Sequence, residues 1–330
     1  MRHPAQDILR IPDVCIAQSS DVVLTKKGVV WDKYYNNMYP YMIPLDSDVS
    51  AYNNETILHR KSAKIVHVDG DCISMLGVFA EIWSHFIMQF LHKFYYAEKA
   101  GLLNKGVTVI IPDYKDAHVR QLVYDVLDRH PSCIVITVPH LNYRIQYNCE
   151  SLYWIPTTSA ISNDYHWPSV YHNIIPRQVM DILHKNVFGK YKGVVSDWCG
   201  EKIYLVRRAK MRNITNNDEV ERFFCERGFV FVEPHKLSLE QKIGVFQNAK
   251  IIAGAHSSAW TNAMFCKHAK GLMLTPINWL SDTYIGYNTL SSECKITMLP
   301  GKEVAFVNSQ NDFEISLQSL QEAYDALLNE

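Results

Sequence analysis

The sequence predicts an α/β protein with two lobes, and three features carry that reading. Short β-branched or apolar runs alternate with segments of helical length, the pattern of βαβ units and parallel sheets. The runs fall into two groups: AKIVHV (63–68), VTVII (107–111) and CIVITV (133–138), then KIYLVR (202–207), FVFV (229–232), KIIAG (250–254) and GLMLT (271–275). Between the groups lies WIPTTSAISNDYHWPSVYHNIIP (154–176), rich in Pro, Tyr, Trp, Ser and Asn, which reads as irregular chain before a helix around Arg177 to Val187. With 330 residues, the chain is long for one core and comfortable for two. We therefore expect an N-terminal lobe over 1–175, a C-terminal lobe over 176–330, and a cleft lined by strand ends.

Helices are placed by caps and periodicity. Asn216 with Glu219, and Ser238 with Gln241, each set a capping residue three positions before Glu or Gln. Over 79–95, Phe79, Trp83, Phe86, Ile87, Phe90 and Phe94 share one face at helical spacing, which predicts a helix packed on a sheet. Leu317, Leu320, Ala323, Tyr324 and Leu327 line one side of a terminal helix, Ser316 to Leu328, expected to pack back on the N-terminal lobe.

Composition narrows the classes. Hydrophobic residues at 48% and charged residues at 20% suit a packed globule, and a net charge of −1 removes the global field that collects nucleic acid or an anionic membrane. The eight cysteines contain no C-x-x-C pair and no spacing suited to structural zinc, so they read as buried thiols of a reducing compartment. No apolar run reaches membrane-span length, and the amino terminus lacks a signal-peptide core. A cytoplasmic protein with at most peripheral membrane association is expected. Dinucleotide, Walker, nucleophile-elbow and zinc-protease fingerprints are all missing.

Three local clusters suggest chemistry. Arg207, Arg208 and Arg212 follow a strand and gather three guanidiniums within six positions, an anion site suited to diphosphate. The opposing reading is that they cap carbonyls or pair with carboxylates such as Asp218 and Glu219. GAHSSAWTN (254–262) leaves a strand for polar residues. A helix opening at Ser257 would offer its first N–H groups, with the Ser257 and Ser258 hydroxyls, to phosphate, and His256 could donate as well. The plainer reading is N-capping by one serine, with Thr261 and Asn262 in helix hydrogen bonds. His85 lies about 200° around the helix from Trp83, on a face shared with Glu81, Met88, Gln89 and His92, and is a candidate base. Asp71, in VDGD after a strand, is a reserve carboxylate, and Asp113 in IIPD has a similar place.

The stretches YLVRRAKMR, NNDEV, VEPHKLSLEQ and GAHSSAWTN, with WSHFIMQFLHKFYYAEKAG upstream, resemble glycosyltransferase family 61 in order and spacing. The resemblance implies a GT-B fold of two Rossmann-like lobes and inverting, metal-independent transfer from a nucleotide sugar, UDP-linked, to a glycan hydroxyl in polysaccharide biosynthesis. The nucleotide sugar is then a substrate, with no cofactor and no metal. It assigns Arg207, Arg208 and Arg212 to the diphosphate and nucleotide, His256, Ser257, Ser258, Thr261 and Asn262 to the donor pocket, and His85 to the acceptor side. Departures are Ala255 for proline, Ser257 for glycine, Trp260 for a smaller aliphatic residue, Gln89 for a carboxylate, and no glutamate after the strand near Thr275. Ser257, Gln89 and the missing glutamate motivate the rival reading, a binding protein on the same fold that has lost catalysis; a nucleotide-sugar epimerase is a third.

Overall fold

The computed structural model describes residues 8–17, 22–30, 49–52, 57–59, 64–77, 80–139, 145–156, 184–188, 190, 200–277, 294–304 and 311–329. The 175/176 boundary, most of the 154–176 segment, Phe79, Cys199 and residues 177–183 of the expected helix lie outside them. The chain divides into two compact units, Met1–Ala160 and Ile161–Glu330.

All seven strands read from the apolar runs form. In the first unit they are β6 (Lys64–Ser74), β7 (Thr108–Pro112) and β8 (Ile134–Val138), in parallel. The sheet is wider than expected. β1 (Leu9–Ala17), β2 (Val23–Thr25), β3 (Gly28–Val30) and β9 (Ile145–Trp154) complete a seven-stranded mixed sheet in the order β3-β2-β1-β9-β6-β7-β8. β9 runs parallel to β6 and antiparallel to β1. β1 accommodates Pro12, which cannot donate to a ladder, with Asp13 at φ 50 and register resuming at Val14. A separate hairpin joins β4 (Val49–Tyr52) to β5 (Ile57–His59).

The aromatic stretch forms one continuous helical run, α1: an α turn Trp83–His85, a π turn Phe86–Phe90 and an α-helix Leu91–Lys99. Trp83, Phe86, Ile87, Phe90 and Phe94 are buried as their spacing predicts. The opposite face is not free: Met88, Gln89, His92 and Lys93 are buried too. The π turn, absent from a 3.6-residue projection, changes the period of the expected two-faced pattern, and the run from Phe86 to Tyr95 is buried throughout. Helix α2 (Ala117–Leu127) starts at Asp116, whose carboxylate accepts from the His118 and Val119 amides at 2.8 and 3.1 Å.

The second unit is built on β10 (Lys202–Leu205), β11 (Val230–Val232), β12 (Ile251–Ala255), β13 (Lys270–Pro276), β14 (Lys295–Glu303) and β15 (Phe313–Glu314), in the order β11-β10-β12-β13-β14-β15. All but β15 are parallel. Helix α3 (Asn217–Cys225) covers this sheet with Val220 and Phe224, and helix α4 (Leu239–Asn248) opens with the full capping box of Ser238 and Gln241. Asn216 departs from the expected cap. Its side chain instead grips the Ile315 backbone, donating to the carbonyl at 2.8 Å and accepting from the amide at 3.1 Å.

In the terminal helix α5 (Leu317–Asn329), Leu320, Tyr324 and Leu327 are buried with Phe223, Phe224 and Phe229 in the core of its own unit, so its apolar face packs on the second sheet. The greasy side of α3 leaves an aromatic groove that Tyr324 fills edge-on, 5.8 Å from the Phe223 ring. Among the described residues no helix is long and apolar enough to cross a membrane.

Candidate functional site

The carboxyl ends of parallel strands are where open α/β sheets place ligands, and the two polar clusters of the second unit meet there. β10 ends at Leu205 beside Gly254 of β12. Gly254 has φ +150, and a Cβ there would stand 2.7 Å from the Leu205 carbonyl oxygen. Only glycine lets the two strands close at this point. The chain leaving β10 carries the arginines, and the chain leaving β12 carries His256.

The three arginines do different things. The Arg207 guanidinium donates to the Arg212 and Met211 carbonyls at 3.2 and 3.0 Å. Arg208 forms a two-pronged pair with Glu221 of α3, at 2.7 and 3.0 Å, with its side chain 56% exposed. Carbonyl capping and carboxylate pairing, the opposing reading of the cluster, thus describe these two residues, with Glu221 in place of Asp218 or Glu219. Arg212 adopts the left-handed region, φ 56, and places Nη1 3.4 Å from Nδ1 of His256.

His256 is fixed from below by its own amide, which donates to Leu274 of β13 at 2.7 Å. Burial, reinforced by Arg212 and Arg207, lowers its pKa to about 3, so it is neutral near pH 7. A guanidinium only donates, so Nδ1 accepts and the ring proton sits on Nε2. The imidazole is therefore an uncharged donor beside a fixed cation, a pairing suited to an anion.

The polar run after His256 forms a 3-10 helix, Ser258–Phe265, rather than an α-helix. Ser257 occupies the cap position with extended backbone, yet its hydroxyl makes no capping bond. Simple N-capping is therefore not its role. Ser258 is exposed, while Thr261 and Asn262 are each 1% exposed. The Asn262 side-chain amide donates to the Ala259 carbonyl at 2.8 Å, and the buried Thr261 hydroxyl has no hydrogen-bond partner among the described residues. Trp260, one of the departures from the family pattern, is buried in the core. Its indole N–H reaches the Ala255 carbonyl at 3.2 Å, and its ring fills the space a side chain at Gly271 would need.

In the first unit the two candidate bases have separate partners. His85 is half-buried, with Nδ1 2.7 Å from the Gln89 amide oxygen across the π turn. Burial lowers its pKa, opposed by the Gln89 contact. Asp71 lies inside β6, not after it, at a bulge where Gly70 takes φ +72 and donates its amide to Glu150 at 2.8 Å. Arg10 binds its carboxylate at 2.8 and 3.0 Å and Tyr153 donates to it at 3.3 Å, and the Arg10 bond, foremost, lowers its pKa. Asp113 pairs with Lys115. Among the described residues no three His, Cys, Asp or Glu side chains gather to hold a metal ion.

A model of the glycosyltransferase 61 family matches residues 83–273, more than half of the chain, from Trp83 at the head of α1 to Met273 in β13. The chain belongs to the glycosyltransferase 61 family. No curated protein matches it. The matched span contains His85, the three arginines and the whole GAHSSAWTN stretch, so the polar clusters found from strand ends and charge are parts of the region that defines this transferase family. Family membership implies a sugar donor and an acceptor. Asp71 and everything beyond Met273 lie outside the match. Sequence reasoning missed Glu221, which binds Arg208 one turn into α3, and Asp312, whose partner Asn213 is 99 residues away. Glu221 was legible as a carboxylate on the helix after the arginines, whereas nothing local marks Asp312.

Proposed function

We propose that this glycosyltransferase 61 protein is an inverting, metal-independent enzyme of GT-B type that moves a sugar from a nucleotide sugar, UDP-linked, to a hydroxyl of a glycan acceptor. The observation that carries the donor half is the Arg212–His256 contact at the strand ends of an all-but-one parallel sheet. Arg212 supplies the cation, His256 Nε2–H a neutral donor, and the 3-10 helix start its first amides with the Ser257 and Ser258 hydroxyls. Together these supports suit the two negative phosphates of a donor and the charge that grows on the diphosphate as it leaves. We assign the buried Thr261 and Asn262 to the same donor site. Arg207 and Arg208 add positive field.

In the reaction the acceptor oxygen forms a bond to the anomeric carbon as the bond to the diphosphate oxygen breaks, and that bond's electron pair departs with the diphosphate. The acceptor proton needs a base. His85 is suited to the task because Nδ1–H donates to the Gln89 oxygen, which orients the ring, and burial lowers its pKa and so favours the neutral imidazole that a base requires. Asp71, held by Arg10, is the reserve.

The rival, a binding protein without catalysis, draws on one observation: the residue that accepts from His85 Nδ1 is an amide, Gln89, rather than a carboxylate. Incubation with UDP-, GDP-, CMP- and dTDP-sugars, following thermal shift and slow donor hydrolysis with EDTA present, separates the readings. One donor that stabilises the fold and is hydrolysed in EDTA is the expected result. Stabilisation without turnover, even with acceptors, would leave the binding protein, and hydrolysis abolished by EDTA would remove metal independence.

A further inference from the structure

Arg212 is an arginine in a backbone conformation that favours glycine, at φ 56, and such a residue persists only where its surroundings hold it. The holding groups come from two sides. From the near side, Arg207 reaches back over the loop and donates to the carbonyls of Met211 and Arg212 themselves. From the far side, the amide of Asn213 donates to Asp312 Oδ1 at 2.7 Å, while the Asn213 side chain donates to the Ala209 carbonyl at 3.0 Å and closes the loop on itself.

The far side is a continuous zipper. Phe313 donates its amide to the Asn213 carbonyl at 3.0 Å, Thr215 donates to the Phe313 carbonyl at 2.8 Å, and Asn216 grips Ile315. Phe313 is itself fully buried, and Gly301 of β14 leaves it the space a Cβ would occupy. The segment 312–315 lies beyond the family match, which ends at Met273.

We infer that Arg207 and Asp312 are positioning residues that set the Arg212 guanidinium against His256, so that the segment 312–315 is part of the donor site although it bears no donor ligand. This rests on the reading of Arg212 as the diphosphate cation. It separates two arginines the sequence treats alike: Arg207 acts through Arg212, and its contribution is two carbonyl bonds made from separate nitrogens, Nε and Nη2, held in one plane, where an ammonium would offer a single nitrogen.

The test is a double-mutant cycle on the full chain, titrating inorganic diphosphate by calorimetry into the wild type, Arg207→Ala, Arg212→Ala and the double variant, with thermal midpoints as the folding control. Each single change should weaken binding about tenfold, and Arg207→Ala should add less than about twofold once Arg212 is gone, the non-additivity of residues that act as one unit. Full additivity would make Arg207 a direct ligand and overturn the inference while the site reading stands. A wild type that does not bind, or an Arg212→Ala that binds as well, would sink the site reading and the inference with it. Arg207→Lys covers the case of an alanine variant that does not fold: it keeps the charge, loses the fork, and should still weaken binding. Asp312→Asn keeps an oxygen acceptor and should bind within about twofold of wild type, whereas Asp312→Ala should lose as much as Arg207→Ala. Unchanged binding by Asp312→Ala would overturn the role of Asp312.

Discussion

The helical run Trp83–Lys99 in the first unit and the stretch 254–262 in the second both bury histidine among apolar neighbours, yet only one reads as an anion site. His92 is fully buried inside α1, edge-on to Tyr96 at 5.5 Å, and burial, with the Lys93 charge, lowers its pKa to about 3. His256 reaches the same value, but beside a guanidinium, at the end of a strand, and next to a run of hydroxyls and an amide. A perturbed pKa therefore does not mark a site by itself. What distinguishes the second region is convergence: a fixed cation, a neutral donor and a helix start supplied by two different loops.

The largest test of this contrast uses glycine. Gly70, at the bulge of the first sheet, has φ +72 and open space around its missing side chain, while Gly254 has φ +150 and the Leu205 backbone against it. Gly254→Val should cost about 4 kcal/mol and abolish diphosphate binding, because it forces β10 and β12 apart. Gly70→Ala should cost about 1 kcal/mol. Urea unfolding of both variants checks this, and equal losses would show that the second strand pair is no tighter than the bulge.

A smaller effect comes from pH. His85, His92 and His256 all have folded pKa values below the ordinary histidine value of 6.5. As pH falls below about 6.5 the unfolded chain takes up these protons before the folded one does, so stability should fall between pH 7 and 5 and be fully present only above that window. His92→Gln and His256→Asn should each flatten the dependence by about one proton, measured as the change in urea midpoint with pH. A His256 variant with an unaltered slope would mean that His256 is not held neutral.

Local helix devices come next. Ser238→Ala removes one half of the capping box of α4 and should lower stability by about 1 kcal/mol. Glu221→Gln leaves Arg208 without its exposed ion pair and should cost less than about 1 kcal/mol, with diphosphate affinity unchanged. A large loss of affinity there would return Arg208 to the donor site.

The strands and the Ser238 cap were legible because each is a local pattern: an apolar run between turn signals, or a serine three residues before glutamine. The first sheet was read too narrow. β1 and β9 were both passed over, although in β9 Ile145, Tyr147 and Cys149 alternate with Gln146, Asn148 and Glu150 at the period of two. The π turn at Phe86–Phe90 could not be foreseen from a helical projection, since it changes the period on which the projection depends. In the site, the residue types and their strand-end location were readable. The division of labour among Arg207, Arg208 and Arg212 was not, because it depends on where three flexible side chains find acceptors, one of them on α3 and another set within the loop itself.

The central claim, that Arg212 beside His256 holds the donor diphosphate, is tested most directly by comparing donor hydrolysis in EDTA by the wild type, Arg212→Ala and Arg208→Ala, each confirmed folded by thermal midpoint. The account predicts a loss of about a hundredfold for Arg212→Ala, the scale of removing a charged group from a developing anion, and a change within about threefold for Arg208→Ala. Equal losses in the two variants, or a larger one for Arg208→Ala, would contradict it.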